Sequence, residues 1–135
     1  MFQSDKSPSY IKVAFRKYAA GLKFKACADT GSSMSLIDRK LLNRHCPNIE
    51  ITPCPMIGLR GVSGHTVITG SVILDFVFED NNGNLGSLPV KLFVNPAEDD
   101  RIILGNDFLS YYGGAVDLEN GTLTLARGLD RKSVV

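Results

Sequence analysis

Several things are missing from this chain, and each absence removes a class of explanation. No run approaches the roughly 20 apolar residues that a membrane-spanning helix needs, so no membrane partner is expected. There is no surplus of one charge: the formal net charge is +1 over 135 residues. A strongly basic nucleic-acid surface and an acidic tail are therefore both disfavoured. The opening Met1-Phe2-Gln3-Ser4-Asp5-Lys6 lacks a basic stretch followed by an apolar one, so no secretory leader is expected. There is no glycine-rich phosphate loop between a strand and a long helix, and no internal repeat.

Cysteine is scarce and odd in number: Cys27, Cys46 and Cys54. Without a secretory leader this argues for free thiols in a reducing, intracellular, cytoplasmic setting. Cys27 lies in an apolar strand and reads as a small buried hydrophobe. Cys46 and Cys54 with His45 and His65 do not have the spacing of a zinc site. Neither a metal nor another cofactor is expected. A Cys27–His45 nucleophilic pair is disfavoured because Cys27 sits in a strand interior with no third residue to orient the histidine.

What is present is a composition, 44% hydrophobic and 21% charged, that suits one ordinary globular domain with a sizeable core. Residues 1–9 read as a flexible lead-in and 127–135 as a flexible polar tail. Between them, alternation puts Ile11, Val13 and Phe15 on one face of a strand. A turn at Ala20-Gly21 follows, and Leu22, Phe24, Ala26 and Ala28 face inward on the next strand. Asp38–Arg44 offers about two helical turns, with Asp38 as a candidate N-cap. Pro53 and Pro55 bracket an extended piece. Gly61-Val62-Ser63-Gly64-His65 reads as a mobile hairpin tip. Val72, Leu74, Phe76 and Phe78 share one face of the clearest strand, opposite Asp75 and Glu79. Asp80-Asn81-Asn82-Gly83-Asn84 and Asn120-Gly121 are turn signals. Asn106–Tyr112 reads as a short helix stopped by Gly113-Gly114. The sum is an all-β chain, seven to nine short strands with one or two short helices, forming a closed barrel or sandwich.

One stretch stands apart. Ala28-Asp29-Thr30-Gly31-Ser32-Ser33 ends an apolar strand on a carboxylate at a sharp bend, exposing the acid. Alone, it is an ordinary Asp-Gly turn. It is followed, however, by the glycine-tipped hairpin and then by Ile103-Leu104-Gly105 opening a helix. In that order of parts the chain resembles the retropepsin-like aspartic proteases over residues 10–126. Gly105-Asn106-Asp107-Phe108-Leu109 and Ala115-Val116-Asp117-Leu118 look most like proteases of long-terminal-repeat retrotransposons. The retropepsin-like domain of cellular ubiquitin-shuttle proteins shares the same order.

The resemblance implies a single-lobe acid-protease barrel and an endopeptidase that cleaves a peptide or polyprotein. Such chemistry uses two carboxylates sharing one proton. With one Asp-Thr-Gly per chain, the second must come from Asp29 of an identical subunit, hence a homodimer. By resemblance Thr30 bonds across that dimer, Gly31 allows backbone to approach carboxylate, and Ile103, Leu104 and Gly105 support the catalytic turn. Arg60, Gly61, Val62, Ser63, Gly64 and His65 form a flap over substrate. Ser32 stands where retroviral enzymes often carry Ala, and its hydroxyl is expected to bond the ionised carboxylate and shift the activity optimum toward acid. Asn106 replaces the usual Arg, which puts the ion-pair network of that Arg in doubt. Asp107 reads as a helix-start or surface residue, and Tyr111 and Tyr112 as packing. The competing reading is a non-catalytic dimerisation or peptide-binding module that has kept the fold.

Overall fold

The structure, a computed structural model, describes residues 9–61, 64–79, 83–96, 99–117 and 122–125. In chain order these form β1 (Ser9–Phe15), β2 (Phe24–Ala28), β3 (Leu36–Asp38), α1 (Arg39–His45), β4 (Thr52–Gly61) and β5 (Gly64–Glu79). Then follow β6 (Leu85–Asn95), β7 (Ile102–Leu104), α2 (Asn106–Tyr111), β8 (Gly114–Asp117) and β9 (Thr122–Leu125). Strands dominate, as the alternating pattern requires.

Six strands close on themselves in the order β1-β2-β7-β3-β6-β5, with β5 returning to pair with β1. Closure leaves no free edge in that ring, a common way for a small all-β protein to avoid edge-to-edge association. β4 hangs outside the ring as the partner of β5 in a long hairpin. β8 and β9 form a separate antiparallel pair.

The inward faces make one core. Val13 and Phe15, Ala26 and Ala28, the even positions 72–78 of β5 and 88–94 of β6, and Ile102 and Leu104 are all buried. Aromatic rings tie the layers: Phe15 stacks on Phe24 at 4.4 Å between centroids, and Phe78 lies 6.3 Å from Phe108 of α2. α1 docks through Leu41 and Leu42, and α2 through Phe108 and Leu109. Each such side chain contributes roughly 1.5–3 kcal/mol of transfer free energy.

Some local expectations need correction. Ser9 belongs to β1, paired with Ala28, and not to a lead-in. Leu22 is exposed in the turn, because β2 begins only at Phe24. The turn spans several residues, with positive φ at both Ala19 and Gly21. Cys27 is half-buried; the buried thiol is Cys46, at the end of α1. Burial pushes the Cys46 thiol up to about 11. Pro53 and Pro55 leave their mark as an irregular register between Pro53 and Ile57, since proline cannot donate to the ladder. The readings at residues 80–82 and 120–121, and those of the two termini, lie outside the described residues.

One topological feature positions the site. β2 and β7 run parallel, with Ala28 beside Leu104. Parallel neighbours end on the same side of the sheet, so the turn after β2 and the entry to α2 are forced together.

Candidate active site

Asp29 is the first residue beyond β2, and its backbone N–H still donates to Leu104 O at 2.9 Å, extending the β2–β7 ladder by one rung. The Ser32 N–H donates to Asp29 O at 3.1 Å and closes the turn. The carboxylate is exposed, and its Oδ1 accepts the Gly31 N–H at 2.8 Å. A side chain at Gly31 would put a Cβ 3.2 Å from that oxygen, a tight approach that glycine relieves.

The turn is clasped from behind by the start of α2. The Asn106 N–H donates to Ser32 O at 2.8 Å, and its side-chain Nδ2 donates to Thr30 O at 2.6 Å. The Gly105 N–H donates to Ser35 Oγ at 2.9 Å, and that hydroxyl donates to Asp107 Oδ1 at 2.6 Å. The Ser35 N–H donates to Asp107 Oδ2 at 3.0 Å. Ser35 is fully buried, so these bonds cover groups that would otherwise be costly. Gly105 is where the packing is tightest. A Cβ there would stand 2.7 Å from both Met34 C and Ser32 O, and closer still to Met34 O.

The structure thus brings Asp29, Thr30, Gly31 and Ser32 against Leu104 and Gly105. Ile103 sits beside Cys27 in the β2–β7 register, half-buried. Two expectations change. The Ser32 hydroxyl donates to Met34 O at 2.7 Å, so its one proton is used on the backbone of its own loop and not on the Asp29 carboxylate. Asp107 is more than a helix start: it locks Ser35. The Cys27 thiol is pushed up by burial and by the nearby Asp29 charge, which opposes any role as a thiolate nucleophile.

Of the hairpin residues, Arg60 pairs with His65 and Gly61 with Gly64 at the end of the β4–β5 ladder. Val62 and Ser63 lie outside the described residues.

A second polar cluster was not foreseen. Asp38 occupies the N-cap position of α1 but makes no capping bond. Its carboxylate, 1% exposed, accepts from Asn95 Nδ2 at 2.9 Å and from the Arg101 backbone N–H and side-chain Nε, each at 3.1 Å. That hydrogen bond holds the Arg101 guanidinium above its usual range. The cluster welds the β3–α1 junction to the start of β7 and so braces the frame under the site.

No protein-family model matches the sequence, and no curated protein matches it at a significant level. Solved structures do. The retroviral protease-like domain of Ddi1 from Leishmania major is similar with a TM-score of 0.61 and 19% identity, covering 91% of this chain and 91% of that one. EIAV protease, complexed with the inhibitor HBY-793, is similar with a TM-score of 0.58 and 17% identity, covering 87% of this chain and 99% of that one. The chain has the retropepsin fold. At these identities the likeness is one of fold, and what a retropepsin fold can do here depends on the residues in its site.

Proposed function

We propose that the chain is half of an aspartic endopeptidase, made complete by a second copy of itself. One observation carries the reading: on a retropepsin fold, Asp29 presents an exposed carboxylate on a turn that the start of α2 clasps through its backbone. A loose carboxylate would be a poor catalyst, since the reacting groups must be held in place.

The chemistry then needs a partner carboxylate. Asp107 is a poor candidate, because both of its oxygens accept from Ser35. The Asp29 of a second subunit meets the requirement on a two-fold axis. Two carboxylates about 3 Å apart cannot both ionise, so the pair shares one proton. The ionised member takes a proton from a water that attacks the scissile carbonyl, while the protonated member donates to the carbonyl oxygen. Collapse of the tetrahedral intermediate returns a proton to the leaving amine. The Gly31 N–H, already on Oδ1, fixes the orientation of each carboxylate on its turn. The β4–β5 hairpin would close over the bound peptide and exclude water.

A retroelement-type polyprotein is the substrate class that goes with this reading, and three free cysteines suit a reducing, cytoplasmic setting. The second reading, a non-catalytic dimerisation or peptide-binding module of a cellular protein, is left open by the similarity to the retroviral protease-like domain of Ddi1. A peptide-library cleavage assay on the wild type and Asp29→Asn separates the two. Cleavage lost in Asp29→Asn, with unchanged thermal stability, supports the enzyme. Absence of cleavage by a wild type that is dimeric at the assay concentration supports the module.

A further inference from the structure

The outer face of the β1–β2 ribbon carries a concentration of cations that the overall charge of +1 conceals. Val13, Phe15, Ala26 and Ala28 point into the core, so alternation turns Tyr10, Lys12 and Lys25 outward. Lys12 and Lys25 are direct partners in the antiparallel register, two positions from the Tyr10–Cys27 pair on the same face. Like charges placed opposite one another across a ladder are destabilising. Neither is in an ion pair: among the described residues these pairs use Lys23, Arg44 and Arg101. Lys25 Nζ instead lies 6.0 Å from the centroid of the Tyr10 ring.

Further along the same face is a surface hollow of about 510 Å³, with Ala14, Val77 and Leu85 in its lining and Lys12, Arg16 and Lys23 beside them. Its one acid, Glu79, is paired with Lys23 at 3.2 Å. The strip therefore presents unneutralised cations next to an apolar depression. β2 also points this strip at the site, because the strand ends at Asp29. At about 3.3 Å per residue, Lys25 lies roughly 13 Å back along β2 from Asp29, and Lys23 stands just before the strand begins.

We propose that this face is a docking track for an acidic, extended protein segment that carries an apolar side chain for the hollow. On the protease reading, on which this placement rests, a peptide held at Asp29 would lay residues about four to six positions from the scissile bond on the track. A protein segment fits better than a nucleic acid. The hollow suits an apolar side chain, which a phosphate backbone does not offer, and among the described residues of the strip Tyr10 is the one aromatic ring that could stack a base.

The test uses the full chain carrying Asp29→Asn, which prevents turnover, and a fluorescein-labelled, Glu-rich decapeptide with one central Leu. A Gln-rich counterpart is the control, and binding is read by anisotropy at about 50 mM salt, where charge effects are little screened. The Glu peptide is expected to bind and the Gln peptide not. Lys12→Gln/Lys25→Gln should weaken binding about tenfold, from two exposed charge contacts. Arg39→Gln/Lys40→Gln, on α1, should leave it unchanged. Equal weakening by both pairs, no effect of the Lys12/Lys25 change, or tighter binding of a single-stranded oligonucleotide of equal charge would overturn the proposal. The two readings fail separately. Acidic-peptide binding without any cleavage by the wild type would sink the protease alone. Cleavage without acidic-peptide binding would sink the track alone.

Discussion

The clasp around Asp29 and the β4–β5 hairpin are made in opposite ways. The clasp is short and cross-linked by side chains: Ser35, Asn106 and Asp107 bond backbone or each other across roughly 70 positions of sequence. A glycine at 105 lets the two loops touch. The hairpin is long and rests on a main-chain ladder, whose register is interrupted between Pro53 and Ile57. It leaves Met56 75% and Val67 44% exposed. Regions with few buried contacts and solvent-facing ladders open most easily. On the proposed protease reading, the contrast suits a site in which the acid stays still while the hairpin closes.

The comparison can be broken from either side. The largest effect is expected at Gly105→Ala, where the added methyl meets backbone on two sides. A loss of about 3 kcal/mol or more of stability, read by denaturant unfolding, is expected along with loss of activity. A variant as stable as wild type would mean that the loops are not packed as described. Next is Asp107→Ala, which strips the buried Ser35 N–H and hydroxyl of their acceptor; about 2–3 kcal/mol is expected from the same measurement. Asn106→Ala removes one side-chain bond at an exposed position and should cost about 0.5–1.5 kcal/mol, with activity falling more than stability. On the hairpin side, Met56→Ser should stay within about 0.5 kcal/mol of wild type. A large loss there would show the hairpin to be as tightly integrated as the clasp. The smallest effect is expected in Ser32→Ala. Because that hydroxyl serves Met34 O, the pH profile of cleavage should not move, and a shifted acidic limb would show that Ser32 reaches the carboxylate after all.

The strands of the barrel were legible in the sequence because alternation of apolar residues is local, and a closed sheet with one buried face enforces it. The convergence of Asp29-Thr30-Gly31 with Ile103-Leu104-Gly105 was implied by the family resemblance that their order carries. What stayed hidden were polar pairings between distant positions. Asp38 looked like a helix cap, and Arg101 like part of a charged loop, because nothing in either neighbourhood names the other. Asp107 looked like a surface acid for the same reason. The one local sign was Ser35, a lone hydroxyl in the apolar run Met34–Ile37, which needs a buried partner somewhere. Gly31 was singled out as the point of close approach, whereas the harder steric limit is at Gly105. That limit comes from the Met34 and Ser32 backbone, brought close because β7 pairs with both β2 and β3.

The central claim is that each chain supplies half of a catalytic pair, and mixing tests it most directly. Wild type and Asp29→Asn are unfolded together, refolded at fixed total concentration above the dimer dissociation constant, and assayed on a cleavable peptide. If both carboxylates are required, only wild-type pairs act, and activity follows the square of the wild-type fraction. Activity that falls in direct proportion to that fraction would mean that one chain is sufficient, and would contradict the account.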